Sequence, residues 1–252
     1  MLTTVQRAQA WLAPDQGQLV STNDAMIQRL VQAFSALVLN AMNRDQLQRV
    51  TRTENYKGGR TGTLLLRQWP VLSVQSVMLG SQAVVSTDVN LEQRLINPGH
   101  QRIYLPAGRT FESNLNSGVT VSYTSGFTTT ETIVVPDDAA ATFVTSQMWL
   151  ADHGVTRLDG TPVTGYTVDS SGVYTPPNGL AGISLLVTYS HVPADIEQVV
   201  IDEIGASFRS RSRIGEASKA LPQGGGTLSF VPRRLMDISV AALQTYRLVV
   251  PI

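Results

Sequence analysis

The chain has no cysteine among its 252 residues, which excludes disulfides and thiolate chemistry and fits assembly in a reducing cytoplasm. Histidine is scarce too. His100, His153 and His191 are the only three, and none has a partner ligand three or four residues away. Zinc and acyl-transfer sites need several groups converging, so surface histidines are the expectation. Charge is low and balanced: nineteen basic residues cancel nineteen acidic ones, and 15% of the chain is charged. No field of that kind attracts nucleic acid or an anionic membrane. No run of about 18 apolar residues is present, and the opening "MLTTVQRAQAWLAPDQ" lacks a basic start followed by a long apolar stretch. A soluble, unexported protein is therefore expected.

Familiar motifs of chemistry are also missing. There is no G-x-S-x-G and no H-E-x-x-H. The glycine-rich "KGGRTGT" and "PQGGGT" lack the G-K-[ST] that supplies a phosphate-binding lysine and a magnesium ligand, so both read as turns or loops. Asp137 and Asp138 are adjacent, and on a strand their carboxylates would point to opposite faces and could not share a proton. These absences name no catalytic, cofactor-binding or metal-binding residue, and a protein that is not an enzyme is expected.

What the chain does have is periodicity. Val5, Ala8, Trp11 and Leu12 make a short helical stripe, and Met26, Ile27, Leu30, Val31, Phe34, Leu37 and Val38 a longer one behind a cap at Asn23 or Asp24. "LQRVTRTENY", "KGGRTG" and "TLLLRQ" read as a β-hairpin. Pro193 then opens a helix with Ile196, Val199, Val200, Ile204 and Phe208 on its buried face, closed by Arg209, Arg211 and Arg213. A linker holding Gly224, Gly225 and Gly226 offers a flexible hinge. "PRRLMDISVAALQTYR" follows as a last helix with Leu235, Ile238, Ala242 and Tyr246 on one stripe.

Between the helices the chain repeats itself. "RIYLPAG" and "GVTVSYTSG" are echoed by "VYTPPNG" and "ISLLVTYSH", each copy closing on a strand that ends in tyrosine, Tyr123 and Tyr189. The expected fold is α+β: a helical bundle built from the N- and C-terminal helices, with a β-rich insertion of two similar small β units. The divisions are 1–70 for the N-terminal helices and hairpin, 71–131 for the first β unit, 132–190 for the second, and 191–252 for the C-terminal helices and tail packing with the N-terminal helices.

The order of these elements, with "GRTGTLLLRQWPVLSVQSV" (Gly59 to Val77) and "VTYSHVPADIEQVVIDEIGASFRSR" (Val187 to Arg211), resembles the head-to-tail connector, or adaptor, proteins of long-tailed bacteriophages. The resemblance spans about the first 80 and last 70 residues, and the second β unit departs from it. It implies a ring of twelve subunits in the virion neck, assembled in the host cytoplasm. A portal protein would lie above it, a stopper or tail-terminator protein below, and packaged DNA would pass through the lumen without sequence-specific contact. No membrane and no cofactor is implied. In that setting Arg233, Arg234, Tyr246, Leu248, Val249, Val250, Pro251 and Ile252 are the expected portal-binding residues, because a short β-branched tail with a proline suits docking in extended form. The alternatives are another neck or tail protein, such as a stopper or baseplate component, and a carbohydrate-binding, adhesin-like β module.

Overall fold

The computed structural model describes residues 1–16, 24–84, 89–91, 101–105, 109–111, 118–137, 142–210, 218–220, 227–229 and 235–248. The chain forms two compact units, one of Asn43–Pro193 with Tyr246–Ile252, the other of Met1–Met42 with Ala194–Thr245.

The larger unit is built from antiparallel strands. Its first half holds β1 (Val50–Tyr56), β2 (Thr63–Leu66), β3 (Val71–Leu79), β4 (Gln82–Val84), β5 (Asn90–Leu91), β6 (Gln101–Tyr104) and β7 (Val119–Ser125). Its second half holds β8 (Thr128–Val134), β9 (Phe143–Val144), β10 (Met148–Arg157), β11 (Thr167–Val168), β12 (Val173–Thr175) and β13 (Ser184–Val192). The first half forms sheets ordered β1-β7-β3-β4 and β2-β6-β5, and the second forms β8-β13-β10 and β9-β12-β11. The topology is the same twice over except at β4, whose place in the second half is taken by a single bridge between Thr156 and Pro162.

The pairing register repeats as closely as the topology. Tyr123 stands opposite Arg52 on one side and Val74 on the other, as Tyr189 stands opposite Thr129 and Asp152. The central pairing is bulged at two points in each half, between Val71 and Ser73 and between Val74 and Ser76, then between Trp149 and Ala151 and between Asp152 and Gly154. An extra residue re-aims every side chain beyond it, so a doubled bulge kept at matching places marks a duplicated unit. Each half buries its own core. Val119, Val121, Tyr123, Val77, Ile103 and Phe111 lie in the first, and Leu185, Val187, Tyr189, Val155 and Tyr174 in the second.

In the smaller sheets, Ile103 faces Leu64 and Leu91, while Tyr174 faces Phe143 and Val168. The structural counterpart of Tyr174 is therefore Ile103, both fully buried, and not the neighbouring Tyr104 that the aromatic-then-proline pattern suggests. A one-residue slip exchanges the two faces of a strand, which is why matching letters alone mislead here. The repeats begin earlier than the sequence divisions, at β1 and at β8. The expected hairpin of "LQRVTRTENY" with "TLLLRQ" does not form either, since β1 pairs with β7 and β2 with β6 in a different sheet.

The smaller unit contains α1 (Val5–Gln16), α2 (Asp24–Ala41), α3 (Ala194–Arg209) and α4 (Asp237–Gln244), with a two-stranded ribbon of β14 (Ser218–Ala220) and β15 (Thr227–Ser229). Ile27, Val31 and Val38 of α2 and Ile196, Val200, Ile204 and Phe208 of α3 are buried at the helical spacing read from the sequence. Elements far apart in the chain are tied together here. Arg7 donates from Nη1 to Glu197 Oε2 at 2.9 Å, Thr3 Oγ1 to Glu197 Oε1 at 3.0 Å, and the Leu2 N–H to Ser35 Oγ at 2.9 Å. Close packing of α1 on α3 occurs at Gly205, where a Cβ would lie 3.8 Å from Leu12 and 3.9 Å from Trp11. The last helix is shorter than expected and out of phase with the predicted stripe. Leu243 and Ser239 are buried, Ile238 is 77% exposed, and Tyr246 lies beyond the helix.

The expectation of a helical bundle carrying a β insertion is overturned. The protein is β-rich: four sheets of three or more strands make the larger unit, and the described residues hold only four helices. Amphipathic helices of 18 and 16 residues announce themselves in a sequence, whereas strands of two to four residues, whose partners are remote, do not. That difference in visibility placed the emphasis on the wrong element type.

Candidate functional site

Two kinds of polar arrangement stand out in the β unit: carboxylates gripped by tyrosines inside each repeat, and a buried cation where the repeats join. In the first repeat Glu54 Oε2 accepts hydrogen bonds from Tyr56 (2.5 Å) and Tyr123 (2.7 Å) hydroxyls. Those hydroxyls in turn accept from the Arg67 and Gln68 N–H groups, both at 3.1 Å. In the second repeat Glu131, the register counterpart of Glu54, accepts from Tyr189, from Ser146 Oγ and from the Ser146 N–H. A further carboxylate, Asp152, accepts from Tyr174 (2.8 Å) and Tyr166 (2.6 Å).

The electrostatics follow from this geometry. Burial first, and the adjoining carboxylates with it, push the Tyr56, Tyr123 and Tyr174 phenols well above their ordinary range, and Tyr166 and Tyr189 up to about 12. Burial also raises Glu131, but the hydrogen bonds from Ser146 and Tyr189 outweigh it and hold the carboxyl below its usual value. Each of these phenols donates to a carboxylate of its own repeat.

At the joint, Arg44 is 6% exposed. Its Nη1 donates to the Trp69 carbonyl at 2.8 Å and its Nε to the Tyr246 carbonyl at 2.9 Å. The guanidinium lies 4.6 Å from the Trp69 ring centre and 5.4 Å from that of Phe127. Tyr246 stacks on Trp69 at 5.9 Å, and Phe127 meets His191 edge-on at 6.4 Å. Burial lowers the guanidinium to about 10, partly offset by Asp45. The chain is tight here: Gly126 has φ +140° and a Cβ would fall 2.6 Å from the Arg49 backbone, so only glycine fits. Arg44 carried no motif in the sequence. Its importance comes from three segments meeting around it, which no local pattern encodes.

The residues singled out by sequence are scattered by comparison. His153 Nε2 and Ser190 Oγ are 2.6 Å apart, but Ser190 is fully buried and also accepts the Arg49 N–H at 2.9 Å. The carboxylate next in sequence, Asp152, accepts from Tyr166 and Tyr174. Burial lowers the pKa values of both His153 and His191. Among the described residues no three of His, Asp or Glu are grouped to hold a metal ion. Of the expected portal-binding residues, Tyr246 lies in the joint, and Leu248 is 4% exposed with its carbonyl accepting from Asn43 Nδ2 at 2.9 Å. His100, Arg233, Arg234, Val249, Val250, Pro251, Ile252 and the hinge Gly224, Gly225 and Gly226 lie outside the described residues.

The remaining feature is a surface. Where inward positions of each main sheet supply the core, the outward positions carry hydroxyls and amides together with apolar residues such as Leu72 and Val134. Thr51, Thr53 and Asn55 of β1 and Thr130 and Thr132 of β8 are exposed. Cross-strand bonds join Thr51 to Thr124 (2.8 Å), Thr120 to Asn55 (2.7 Å) and Thr130 to Thr188 (2.9 Å). Such pairs stiffen a sheet while leaving its face uncharged.

No protein-family model and no curated protein matches the chain. Among solved structures, a chain of the "Virion of native gene transfer agent (GTA) particle" aligns with a TM-score of 0.46 and 14% identity, over 100% of this chain and 92% of that one.

Proposed function

We propose that the protein is a structural component of a phage-like virion neck, an adaptor ring between the portal and a stopper or tail component, and that it performs no catalysis. The observation that carries this reading is the doubled β unit with uncharged outward faces. Its tyrosines and carboxylates are engaged with one another, which suits a surface used for contact and not a pocket used for chemistry. A head-to-tail interface repeated around an axis closes into a ring, and each subunit then needs two complementary faces. The likeness of Gly59 to Val77 and Val187 to Arg211 to the connector family supplies the rest of the proposal. That is a ring of twelve, a portal on one side, a stopper or tail terminator on the other, and DNA in the lumen held without sequence-specific contact.

Tyr246 and Leu248 pack within their own chain, so in this reading they anchor the tail whose residues Val249, Val250, Pro251 and Ile252 bind the portal, and Arg233 and Arg234 are further portal-binding residues. The test is to incubate the protein with portal-bearing heads that lack a neck, then sediment and image them. A ring of density beneath the portal is the expected result. Failure to associate with heads, together with retention on a glycan surface, would favour the adhesin-like module.

A further inference from the structure

We propose that the outward face of the first repeat's smaller sheet, β2-β6-β5 with the loop at its end, contacts the phosphate backbone of double-stranded DNA. The proposal rests on the neck reading above for the presence of DNA in the lumen, and it names the side chains that meet it.

A net charge of zero conceals a separation. From Asn43 to Phe127 the chain holds nine basic and five acidic residues, whereas from Thr128 to Val192 it holds one basic and six acidic. The fold that the two repeats share does not require this. Leu64 and Ile103 pair as Phe143 and Tyr174 do, so Leu65, Arg102 and Tyr104 take the outward places that Val144, Val173 and Thr175 fill in the second repeat. Further basic residues gather at the end of the same sheet, where the segments 60–62 and 109–111 meet. The Arg60 N–H donates to the Phe111 carbonyl at 3.2 Å, the Phe111 N–H to the Thr61 carbonyl at 2.8 Å, and the Leu105 N–H to the Gly62 carbonyl at 2.9 Å. Two strands and one loop thus present Lys57, Arg60, Arg67, Arg102 and Arg109. Arg102 is half-buried and the other four are exposed. No residue of β2, β5 or β6 is acidic.

The arrangement suits phosphate. Four of these five residues are arginines, whose planar fork matches phosphate oxygens and stacks on rings as a lysine does not. Arg102 lies over the Tyr104 ring at 5.0 Å and Arg67 over the Tyr56 ring at 4.9 Å, contacts that restrict both guanidiniums before a partner arrives. Arg60 has φ +55°, a conformation that favours glycine, in a loop that already has glycine at 58, 59 and 62. The backbone therefore does not select arginine there. Lys57, Arg60 and Arg67 make no ion pair with a described residue. An acidic neighbour, such as the second repeat of another copy, is a poorer match. Its Glu131 and Asp152 are held by Ser146 and by tyrosines, Asp159 accepts from the Thr161 N–H, and Asp169 from those of Ser171 and Val173. A duplex instead offers a charge every ~1.7 Å along its axis.

The test is fluorescence anisotropy of the full-length chain with labelled duplexes of two unrelated sequences. Both should bind alike, and five phosphate contacts should weaken the affinity roughly 500-fold between about 50 and about 200 mM salt. R67Q, R102Q and R109Q should each lower the salt slope by about one. R102K should keep it, and R157Q, which removes the one basic residue of the second repeat, should leave it unchanged. R60Q or K57Q takes the place of any variant that lowers the melting temperature. No binding at the lowest salt, or a slope that ignores every substitution on this face, would overturn the proposal. Tighter binding to polyglutamate than to the duplexes would overturn it in favour of an acidic protein partner. DNA binding without docking to portal-bearing heads would sink the neck reading and leave this one standing. Docked rings from a chain that binds no DNA would do the reverse.

Discussion

Arg44 offers the sharpest test of how the β unit is held together. Replacing it by methionine keeps an unbranched apolar stem and removes the guanidinium. Two hydrogen bonds from a charged donor, to the carbonyls of Trp69 and Tyr246, contribute about 1.5–3 kcal/mol each. The desolvated contact with the Trp69 ring adds about 2 kcal/mol. Against these stands burial, which brings the guanidinium down to about 10 and so sets about 3 kcal/mol against the charged form. The net loss on substitution is about 3 kcal/mol, a fall of roughly 6–12 °C in melting temperature for a unit of about 150 residues. Arg44→Lys should fall between wild type and Arg44→Met, because an ammonium cannot span both carbonyls and stack as well. Differential scanning calorimetry of the full chain reads the result in the transition of the β unit. A shift of less than about 2 °C for Arg44→Met would refute the argument, since it would mean that the bonds made at the joint only balance the cost of burying the charge.

The duplicated tyrosines should behave alike. Tyr189→Phe and Tyr123→Phe are each expected to cost about 1.5–3 kcal/mol, because each phenol donates to a carboxylate and accepts from the backbone, Tyr123 from the Gln68 N–H and Tyr189 from that of Gln147; urea titration of both variants checks the match. Glu131, depressed in the folded state from the ordinary 4.5, contributes stability that is present above that value and lost as pH falls through the lower, folded one. Wild type should therefore lose more of its urea midpoint than Glu131→Gln between about pH 7 and about pH 3. Excising Thr128 to Ser190 and joining Phe127 directly to His191 should leave a cooperatively folding chain. The His191 N–H already donates to the Phe127 carbonyl at 3.1 Å, so the ends of the second repeat are adjacent, and each repeat has its own core; loss of cooperative unfolding would show that the repeats share one.

The sequence by itself determined α2 and α3 of the smaller unit, the burial of Ile27, Val31, Ile196, Ile204 and Phe208, and the existence of a repeat. Each of these rests on local periodicity, and a side chain three or four residues away along a helix is a neighbour whatever the rest of the chain does. The echo of Tyr123 in Tyr189 was legible for a related reason, since both stand on strands that alternate toward a core. Only the tertiary structure decided that β1 pairs with β7 and not with β2, that Ile103 matches Tyr174, and that the sheets outweigh the helices. Strand pairing is a contact between remote segments, and a shift of one residue leaves the composition of a strand unchanged while reversing its faces. The same holds for Arg44. As a letter in "AMNRDQ" it is one arginine of several, and its cost and its bonds exist only because Trp69, Phe127, His191 and Tyr246 are folded around it.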